Sequence, residues 1–203
     1  MRTYVIRRYA CDVDAEPATR HLTFLFADVE GSTRLVEHHG TDAGQALSTY
    51  HELVASHAVH RGGRLFERIG DGAYACFPDA LAAVAAADDV QTAVAEHDWG
   101  GVGRIRIRIA LVSGDVEEQG DRYYGRALFR AARLQALARG GETLLAGSTV
   151  AELDGALPPG TQLRDLGAQR LRDVAEPEGC SRWCILPAPV RATRPNPTNR
   201  RCR

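Results

Sequence analysis

An apolar run ends in an aspartate and a Gly-Ser-Thr turn in the segment HLTFLFADVEGST, from His21 to Thr33. The length and the Phe and Leu content of His21 to Asp28 predict a buried strand. Gly31 permits a sharp turn after this strand, and Ser32 or Thr33 has a side chain that can cap a following helix. We therefore expect a strand that delivers Asp28 to the start of a helix.

The segments that follow alternate between helical and strand patterns. Ala43 to His60 predicts an amphipathic helix, and Ala80 to Glu96 predicts a second one. Between them, Arg64 to Arg68 and Ala73 to Phe77 predict two short strands. The tip that joins these strands, Ile69-Gly70-Asp71-Gly72, is typical of a hairpin.

The rest of the chain continues this irregular alternation. Arg104 to Val112, RIRIRIALV, places its arginines on one side of a strand and its isoleucines on the other. Further along, the patterns predict a helix at Tyr124 to Arg139, a strand at Glu142 to Ala146, a helix capped by Ser148 that ends at Leu153, and strands at Gln162 to Arg172 and Arg182 to Leu186. This order favours an α+β sandwich over a doubly wound sheet.

The two ends of the chain differ from its middle. Residues 1–20 alternate only loosely and predict an extra edge strand or a loose arm. Residues 187–203 are rich in Pro, Arg and Asn, which predicts a disordered tail. Residues 21–186 then form one domain, as a length of 203 residues leads us to expect.

The composition is that of a globular protein. Hydrophobic residues at 44% and charged residues at 25% exclude a disordered or fibrous chain. Lys+Arg 25 against Asp+Glu 26 gives a formal net charge of -1, which argues against nucleic acid or an anionic membrane as the main partner. No apolar run approaches the roughly 18 residues of a membrane span, and Met1 to Arg8 is not followed by the apolar core of a secretory signal. We expect a cytoplasmic protein.

Two aspartates stand out by their position, because Asp28 ends a buried strand and Asp71 lies at the tip of a hairpin. If the two strands are neighbours, the carboxylates meet, and paired oxygen ligands of this kind suit Mg²⁺ or Mn²⁺. The turn from Val29 to Thr33 offers backbone N–H groups at a helix N-terminus, which can bind phosphate. Two metals beside a phosphate site suit phosphoryl or nucleotidyl transfer. The alternative is structural: Asp28 caps a helix and Asp71 makes a turn.

Four motifs in order along the chain resemble those of one enzyme family. They are F-A-D-V-E-G-S-T at Phe26 to Thr33, G-G-R-L-F-E-R-I-G-D-G at Gly62 to Gly72, Y-Y-G-R-A-L-F-R-A-A-R-L at Tyr123 to Leu134, and D-L-G-A-Q-R-L-R-D at Asp165 to Asp173. Together they resemble the class III nucleotide cyclase catalytic domain. The resemblance implies a central, mainly antiparallel sheet with flanking helices, and a homodimer whose active sites lie at the subunit interface.

The same resemblance implies roles for particular residues. Asp28, Asp71 and the Val29 carbonyl match the ligands of two divalent ions, Mg²⁺ or Mn²⁺. Arg133 matches the arginine that stabilises charge on the reacting phosphate, and Arg172 stands where the family usually has a triphosphate-binding lysine. The implied reaction is attack of the ribose 3′-oxygen of a nucleoside triphosphate on the α-phosphorus, with release of pyrophosphate.

The chain departs from adenylate cyclases of this family at three positions. Those enzymes usually carry lysine at the position of Glu67 and aspartate or threonine at that of Arg122, and these residues read the base. At the position of Phe129 they carry an asparagine that helps to hold the ribose. An acceptor in place of a donor leaves polar groups unpaired against adenine, at a cost of about 1–3 kcal/mol each. Glu67 and Arg122 match the hydrogen-bonding groups of guanine, uracil or cytosine. Phe129 adds apolar bulk, which favours a smaller base, so we expect UTP or CTP as substrate.

The layout is also similar to that of short cyclases of this family that make cyclic UMP or cyclic CMP in bacterial antiphage signalling. Other interpretations of the unusual residues stay open at this point. Phe129 is a core residue if its helix is rotated, and Arg122 is a solvated charge in a polar loop. The arginines of residues 104–112 are expected on an exposed sheet face. A catalytically silent cyclase-like domain that binds a nucleotide or a partner cyclase is the alternative function.

Overall fold

The computed structural model describes residues 18–157, 161–174 and 177–185. The strands are β1 (Ala18–Val29), β2 (Arg64–Ile69), β3 (Gly72–Phe77), β4 (Ile107–Gln119), β5 (Arg122–Tyr124), β6 (Thr143–Ala146), β7 (Thr161–Gln169) and β8 (Glu178–Ile185). The helices are α1 (Ser32–His60), α2 (Ala80–Glu96), α3 (Arg126–Gln135) and α4 (Gly147–Leu153), with a 3-10 turn at Gly100–Val102. The fold is α+β, as the sequence predicts.

The strands form one sheet in the order β2-β3-β1-β4-β6-β8-β7, and β5 pairs with β4. Only the β4–β6 pairing is parallel among these strands, so the sheet is mainly antiparallel. The hairpin of β2 and β3 therefore lies directly beside β1. Because the hairpin is beside β1, Asp71 at its tip can lie close to Asp28.

The sheet has two differently covered faces, because side chains alternate along each strand. Helices α1, α2 and α4 cover the first face, which we call the helical face; it receives Leu25, Ala27 and Val29 of β1. Helix α3 packs on the second face, which we call the α3 face; it receives Phe24 and Phe26. The alternation then places the next even-numbered residue of β1, Asp28, on the α3 face as well.

Helix α1 begins eleven residues earlier than the periodicity predicts, at Ser32 instead of Ala43. Its backbone is kinked at Gly40, where φ is 49° and ψ is -116°. The prediction that Ser32 or Thr33 caps the helix is wrong, because the N-cap is Gly31 in a left-handed conformation (φ 73°) with no side-chain cap hydrogen bond. A glycine suits this position because other L-residues seldom adopt a positive φ.

Several further boundaries differ from the predictions. Strand β1 begins at Ala18, so the last residues of the predicted N-terminal arm belong to the sheet, while residues 1–17 lie outside the described residues, as does the predicted tail at 187–203. Helix α3 is shorter than predicted, and β7 ends at Gln169. Ser148 does not cap α4, whose N-cap is Ala146.

A β-bulge interrupts strand β2 at Phe66. Leu65 pairs with Ala75, but the next paired residue is Glu67, opposite Tyr74. The extra residue changes the alternation, so Glu67 lies on the same face as Tyr74, which is the α3 face. Without the bulge Glu67 would face the helical side of the sheet.

Candidate active site

Asp28 and Asp71 lie next to each other at the end of β1. Ala27 pairs with Ala73 of β3, so the turn that carries Asp71 lies beside the last residues of β1. The Val29 backbone N–H donates a hydrogen bond to Asp71 Oδ2 at 3.3 Å. The structure therefore brings together three residues that the sequence analysis assigns to metal binding.

An arginine from the neighbouring strand holds Asp28. Arg108 of β4 is directly opposite Asp28 in register, and its Nε and Nη2 each donate to one carboxylate oxygen at 2.7 Å. The two side chains are 28% and 20% exposed. The expectation that Arg108 shares an exposed sheet face with Arg104 and Arg106 is therefore wrong for Arg108, which is half-buried in an ion pair.

The surroundings of Asp28 act on its ionisation in opposite directions. Burial raises the pKa of Asp28 and is the largest effect, while the hydrogen bonds and charge of Arg108 lower it. The negative charges of Asp71 and Glu30 raise this pKa further. A positive ion beside the two carboxylates would oppose these effects and favour the charged form.

Two polar side chains of α1 lie beneath this site. Tyr50 is completely buried, and burial, followed by the charges of Asp28 and Asp71, raises its pKa well above the usual value. His51 is buried, and this burial lowers its pKa, while the backbone at Gly72 and Asp71 has the opposite effect. Among the described residues the Tyr50 hydroxyl and His51 Nε2 have no hydrogen-bond partner.

The start of α1 follows the aspartate directly. Gly31, Ser32 and Thr33 form the turn and the first helical residues, and the first backbone N–H groups of a helix have no partner within the helix. These donors and the positive end of the helix dipole suit an anion. Because Gly31 is the N-cap, the structural alternative in which Asp28 caps the helix is wrong.

The two predicted phosphate-binding arginines converge on one carboxylate. Arg133 Nη2, from α3, donates to Asp173 Oδ2 at 3.0 Å, and Arg172 Nε lies 3.6 Å from the same oxygen. All three side chains are exposed, Arg172 to 84%. Asp173 has a positive φ of 60°.

The predicted base-reading residues lie near a group of aromatic rings on the α3 face. Glu67 is exposed and opposite Tyr74, and the ring of its neighbour Phe66 is 5.2 Å from the ring of Tyr123. Arg122 is exposed and immediately precedes Tyr123 in β5. The contact between the two rings thus links the two strands that carry Glu67 and Arg122.

Phe129 lies on the outer side of α3. It is 73% exposed, whereas Ala127, Ala131 and Leu134 of the same helix are buried. The alternative in which Phe129 is a core residue is therefore wrong. Residues four apart share one side of a helix, so Phe129 and Arg133 are neighbours on this exposed side.

Solved structures of cyclases have the same fold. The chain is similar to an adenylate/guanylate cyclase/hydrolase from Silicibacter pomeroyi, with a TM-score of 0.74, 28% identity, and coverage of 85% of this chain and 99% of that one. It is also similar to adenylate cyclases of Trypanosoma brucei in their monomeric state, with a TM-score of 0.76, 22% identity, and coverage of 83% and 89%. The second likeness bears on the fold alone.

The sequence relatives include a further cyclase. An uncharacterised protein of Mycobacterium tuberculosis is 32% identical over 98% of this chain and 70% of its own length. A receptor-type adenylate cyclase of Trypanosoma congolense is 28% identical over 85% of this chain and 29% of its own length. The chain belongs to the class III nucleotide cyclase family. A scan against protein-family models gives no match for this cyclase domain.

The residues of this cyclase domain fit a divalent ion by their chemistry. Class III cyclases generally depend on such ions. In the described part of the chain, no three His, Cys, Asp or Glu side chains are grouped so that they could form a metal site by themselves. Mg²⁺, however, is commonly bound by one or two carboxylates together with substrate phosphates. Asp28, Asp71 and the Val29 carbonyl offer oxygen donors of this kind.

Sequence reasoning missed three residues around the cyclase site: Arg108, Asp173 and His51. The strict alternation of RIRIRI was a usable signal for Arg108, because it shows which arginines share a face. It does not show which residue of another strand lies opposite.

No helix within the described ranges is long and apolar enough to cross a membrane.

Proposed function

We propose that this cyclase domain converts a nucleoside triphosphate into a 3′,5′-cyclic monophosphate and pyrophosphate. The 3′-oxygen forms a bond to the α-phosphorus, the bond from that phosphorus to the β-phosphate oxygen breaks, and the 3′-hydroxyl proton passes to solvent. The observation that supports this proposal is the hydrogen bond between Val29 N–H and Asp71, which joins the two carboxylate-bearing segments.

Each site residue then has a defined task. Asp28, Asp71 and the Val29 carbonyl would hold two ions, Mg²⁺ or Mn²⁺. One ion would lower the pKa of the 3′-hydroxyl, and both would neutralise the developing negative charge. The backbone N–H groups of Gly31, Ser32 and Thr33 donate to phosphate oxygens.

The two arginines neutralise the remaining phosphate charge. Arg133 acts at the reacting phosphate and Arg172 at the triphosphate. To do so, both exchange their carboxylate partner, Asp173, for phosphate oxygens. The pairs are exposed and therefore weak, with a worth of about 0–1 kcal/mol each, so this exchange costs little.

The proposed enzyme is a cytoplasmic homodimer in which each site combines residues of two chains. An exposed phenylalanine beside a catalytic arginine, as in Phe129 and Arg133, supports this arrangement. A large apolar side chain left 73% exposed is a cost in water that a partner surface removes. In the family such an interface builds each active site from residues of both chains.

The proposed substrate is a pyrimidine nucleotide, UTP or CTP. Glu67 accepts from the uracil N3–H or the cytosine amino group, and Arg122 donates to ring carbonyl oxygens or N3. Phe129 replaces a polar ribose contact with apolar bulk and so favours a small base. The position of Glu67 on the α3 face, which the bulge produces, supports its role in reading the base. A pyrimidine cyclic nucleotide produced in this way would act as a second messenger in antiphage defence.

The test is a product assay with each of ATP, GTP, CTP and UTP separately, with Mg²⁺ and with Mn²⁺. We expect cyclic UMP or cyclic CMP, and no product from the Asp71→Ala variant, which should keep its fold. Dominant cyclic GMP would contradict the pyrimidine assignment. Full activity of Asp71→Ala would remove Asp71 from the metal site.

A charge-reversal variant tests the base-reading assignment. Glu67→Lys combined with Arg122→Asp should gain use of ATP, because the pair then matches the adenine edge. The matched control is Glu96→Lys with Arg164→Asp, which makes the same charge changes at exposed positions of α2 and β7. Equal ATP use by both double variants would mean that the effect is not local.

The second candidate function is a catalytically silent domain that binds a nucleotide or a partner cyclase. Phe129 at the position of the family's ribose-binding asparagine favours it. The retained pair of Asp28 and Asp71 favours catalysis instead. Nucleotide binding by calorimetry with no cyclic product from any triphosphate, at high enzyme concentration and with both metals, would support the silent domain.

A further inference from the structure

Arg108 and Asp28 form a bidentate ion pair, with one hydrogen bond to each carboxylate oxygen. Both guanidinium-to-carboxylate distances are 2.7 Å, and the two residues are opposite each other in adjacent strands. Both oxygens of Asp28 are therefore engaged by protein donors. Charge-assisted bonds with this fork geometry are the strong class of protein hydrogen bonds.

Arg108 compensates the buried negative charge of Asp28. A carboxylate taken out of water needs a partner, and here a second carboxylate, Asp71, and a third, Glu30, add negative charge nearby. Arg108 supplies the compensating positive charge. A metal ion bound to Asp28 would supply the same charge at the same oxygens.

We propose that Arg108 is a displaceable counter-cation that competes with the divalent ion for Asp28 and so weakens metal binding. This inference rests on the metal site of the proposed function. When the ion binds, Arg108 gives up at least one of its bonds to Asp28. The charges of Glu30 and Asp71, which already act on Arg108, offer it alternative partners close by.

The proposal makes opposite predictions for two properties of the Arg108→Gln variant. Without metal the variant should be less stable, because Asp28 is left with an uncompensated buried charge. With metal it should bind more tightly, because the ion no longer displaces a guanidinium. Charged hydrogen bonds are worth about 1.5–3 kcal/mol, which corresponds to a Kd for Mn²⁺ about ten- to a hundredfold lower.

The experiment measures Mn²⁺ binding by calorimetry and the melting temperature with and without Mn²⁺, on the full chain without nucleotide. The matched control is Arg106→Gln, which changes an exposed arginine just before the start of β4 and should change the Kd less than about threefold. Arg108→Lys keeps the charge without the fork and should lie between wild type and Arg108→Gln. Asp28→Asn should abolish binding in each background.

The outcomes separate this inference from the proposed function. Tighter Mn²⁺ binding by Arg108→Gln supports the inference even when no cyclic product is found, in which case only the proposed function fails. Equal or weaker binding by Arg108→Gln overturns the inference even if the wild type makes cyclic nucleotide. Absence of Mn²⁺ binding in both proteins also overturns it. If Arg108→Gln unfolds without metal, the Arg108→Lys variant decides by the same criteria.

Discussion

Removal of the Thr149 hydroxyl, which lies where β1, β4 and α4 meet, should lower the free energy of unfolding measurably. Strand β6 pairs with β4 only from Ile109 to Leu111, after which α4 begins. The Ser113 backbone N–H lies two residues beyond this pairing, and it donates to Thr149 Oγ1 at 2.9 Å. Thr149 is completely buried, and its hydroxyl also donates to the Leu111 carbonyl at 3.1 Å.

Thr149→Val keeps the shape of the side chain and removes only this hydrogen-bonding group. Ser113 N–H then stays buried without a partner, at a cost of about 1–3 kcal/mol. The Ser113 hydroxyl, which lies 3.2 Å from Thr149 Oγ1, keeps its hydrogen bond with Thr23 Oγ1 at 2.8 Å. The Leu111 carbonyl loses the Thr149 donor as well. A loss of about 2 kcal/mol lowers the melting temperature of a domain of this size by about 4–8 °C.

The assay is denaturant unfolding of Thr149→Val beside wild type, with amide exchange at Ser113 as a local readout. Thr92→Val makes the same chemical change at an exposed position of α2 and should stay within about 0.5 kcal/mol of wild type. A Thr149→Val loss below about 0.5 kcal/mol, or an unchanged exchange rate at Ser113, would refute the reasoning.

Two further predictions concern packing and pH. A Cβ on Gly63 would clash with the Phe77 ring and lie 2.9 Å from the Cys76 carbonyl oxygen, so Gly63→Ala should lose about 1–3 kcal/mol in denaturant unfolding. Gly101→Ala, where the added Cβ has no neighbour within 4 Å among the described residues, is the control and should show no loss. The hydrogen bond from His21 to Glu152 raises the pKa of His21 above its usual 6.5. Its stabilising effect is therefore complete below about pH 6.5 and is lost as the pH rises through the raised pKa, so the stability difference between wild type and His21→Gln should shrink from about pH 5.5 to 8.5. A difference that grows with pH would contradict this sign.

The sequence predicts those parts of the fold in which a local pattern carries the information. The β2–β3 hairpin and α2 follow from short periodic runs and a Gly-Asp-Gly tip. The first part of α1 escapes detection because Ser32 to Asp42 is mostly exposed and has a glycine, Gly40, in a non-helical conformation. Without an apolar stripe, such a segment has no helical signal in its hydrophobic pattern.

In the candidate site, too, only the features that a local pattern defines could be predicted from the sequence. The meeting of Asp28 and Asp71 follows once β1 and the hairpin are neighbours. The pairing of Asp28 with Arg108 depends instead on the register of two strands 80 residues apart, which no local pattern specifies. The bulge that turns Glu67 to the α3 face is likewise a product of strand pairing, and the residues Arg64 to Ile69 carry no glycine to mark it.

Two ion pairs within the chain occupy charged groups of the site, and they affect how metal and nucleotide bind together. Asp28 holds Arg108, and Arg133 holds Asp173. A free metal ion that takes Asp28 leaves Arg108 without its partner, and a free nucleotide that takes Arg133 leaves Asp173 without its partner. A metal–nucleotide complex carries both signs of charge, so it replaces both partners at once and adds the direct attraction between metal and phosphate. Breaking the Asp28–Arg108 pair costs more free energy than breaking the Arg133–Asp173 pair, because the first pair is half-buried while the second is exposed and screened by solvent. We therefore expect positive coupling, in which nucleotide strengthens metal binding and metal strengthens nucleotide binding by the same factor.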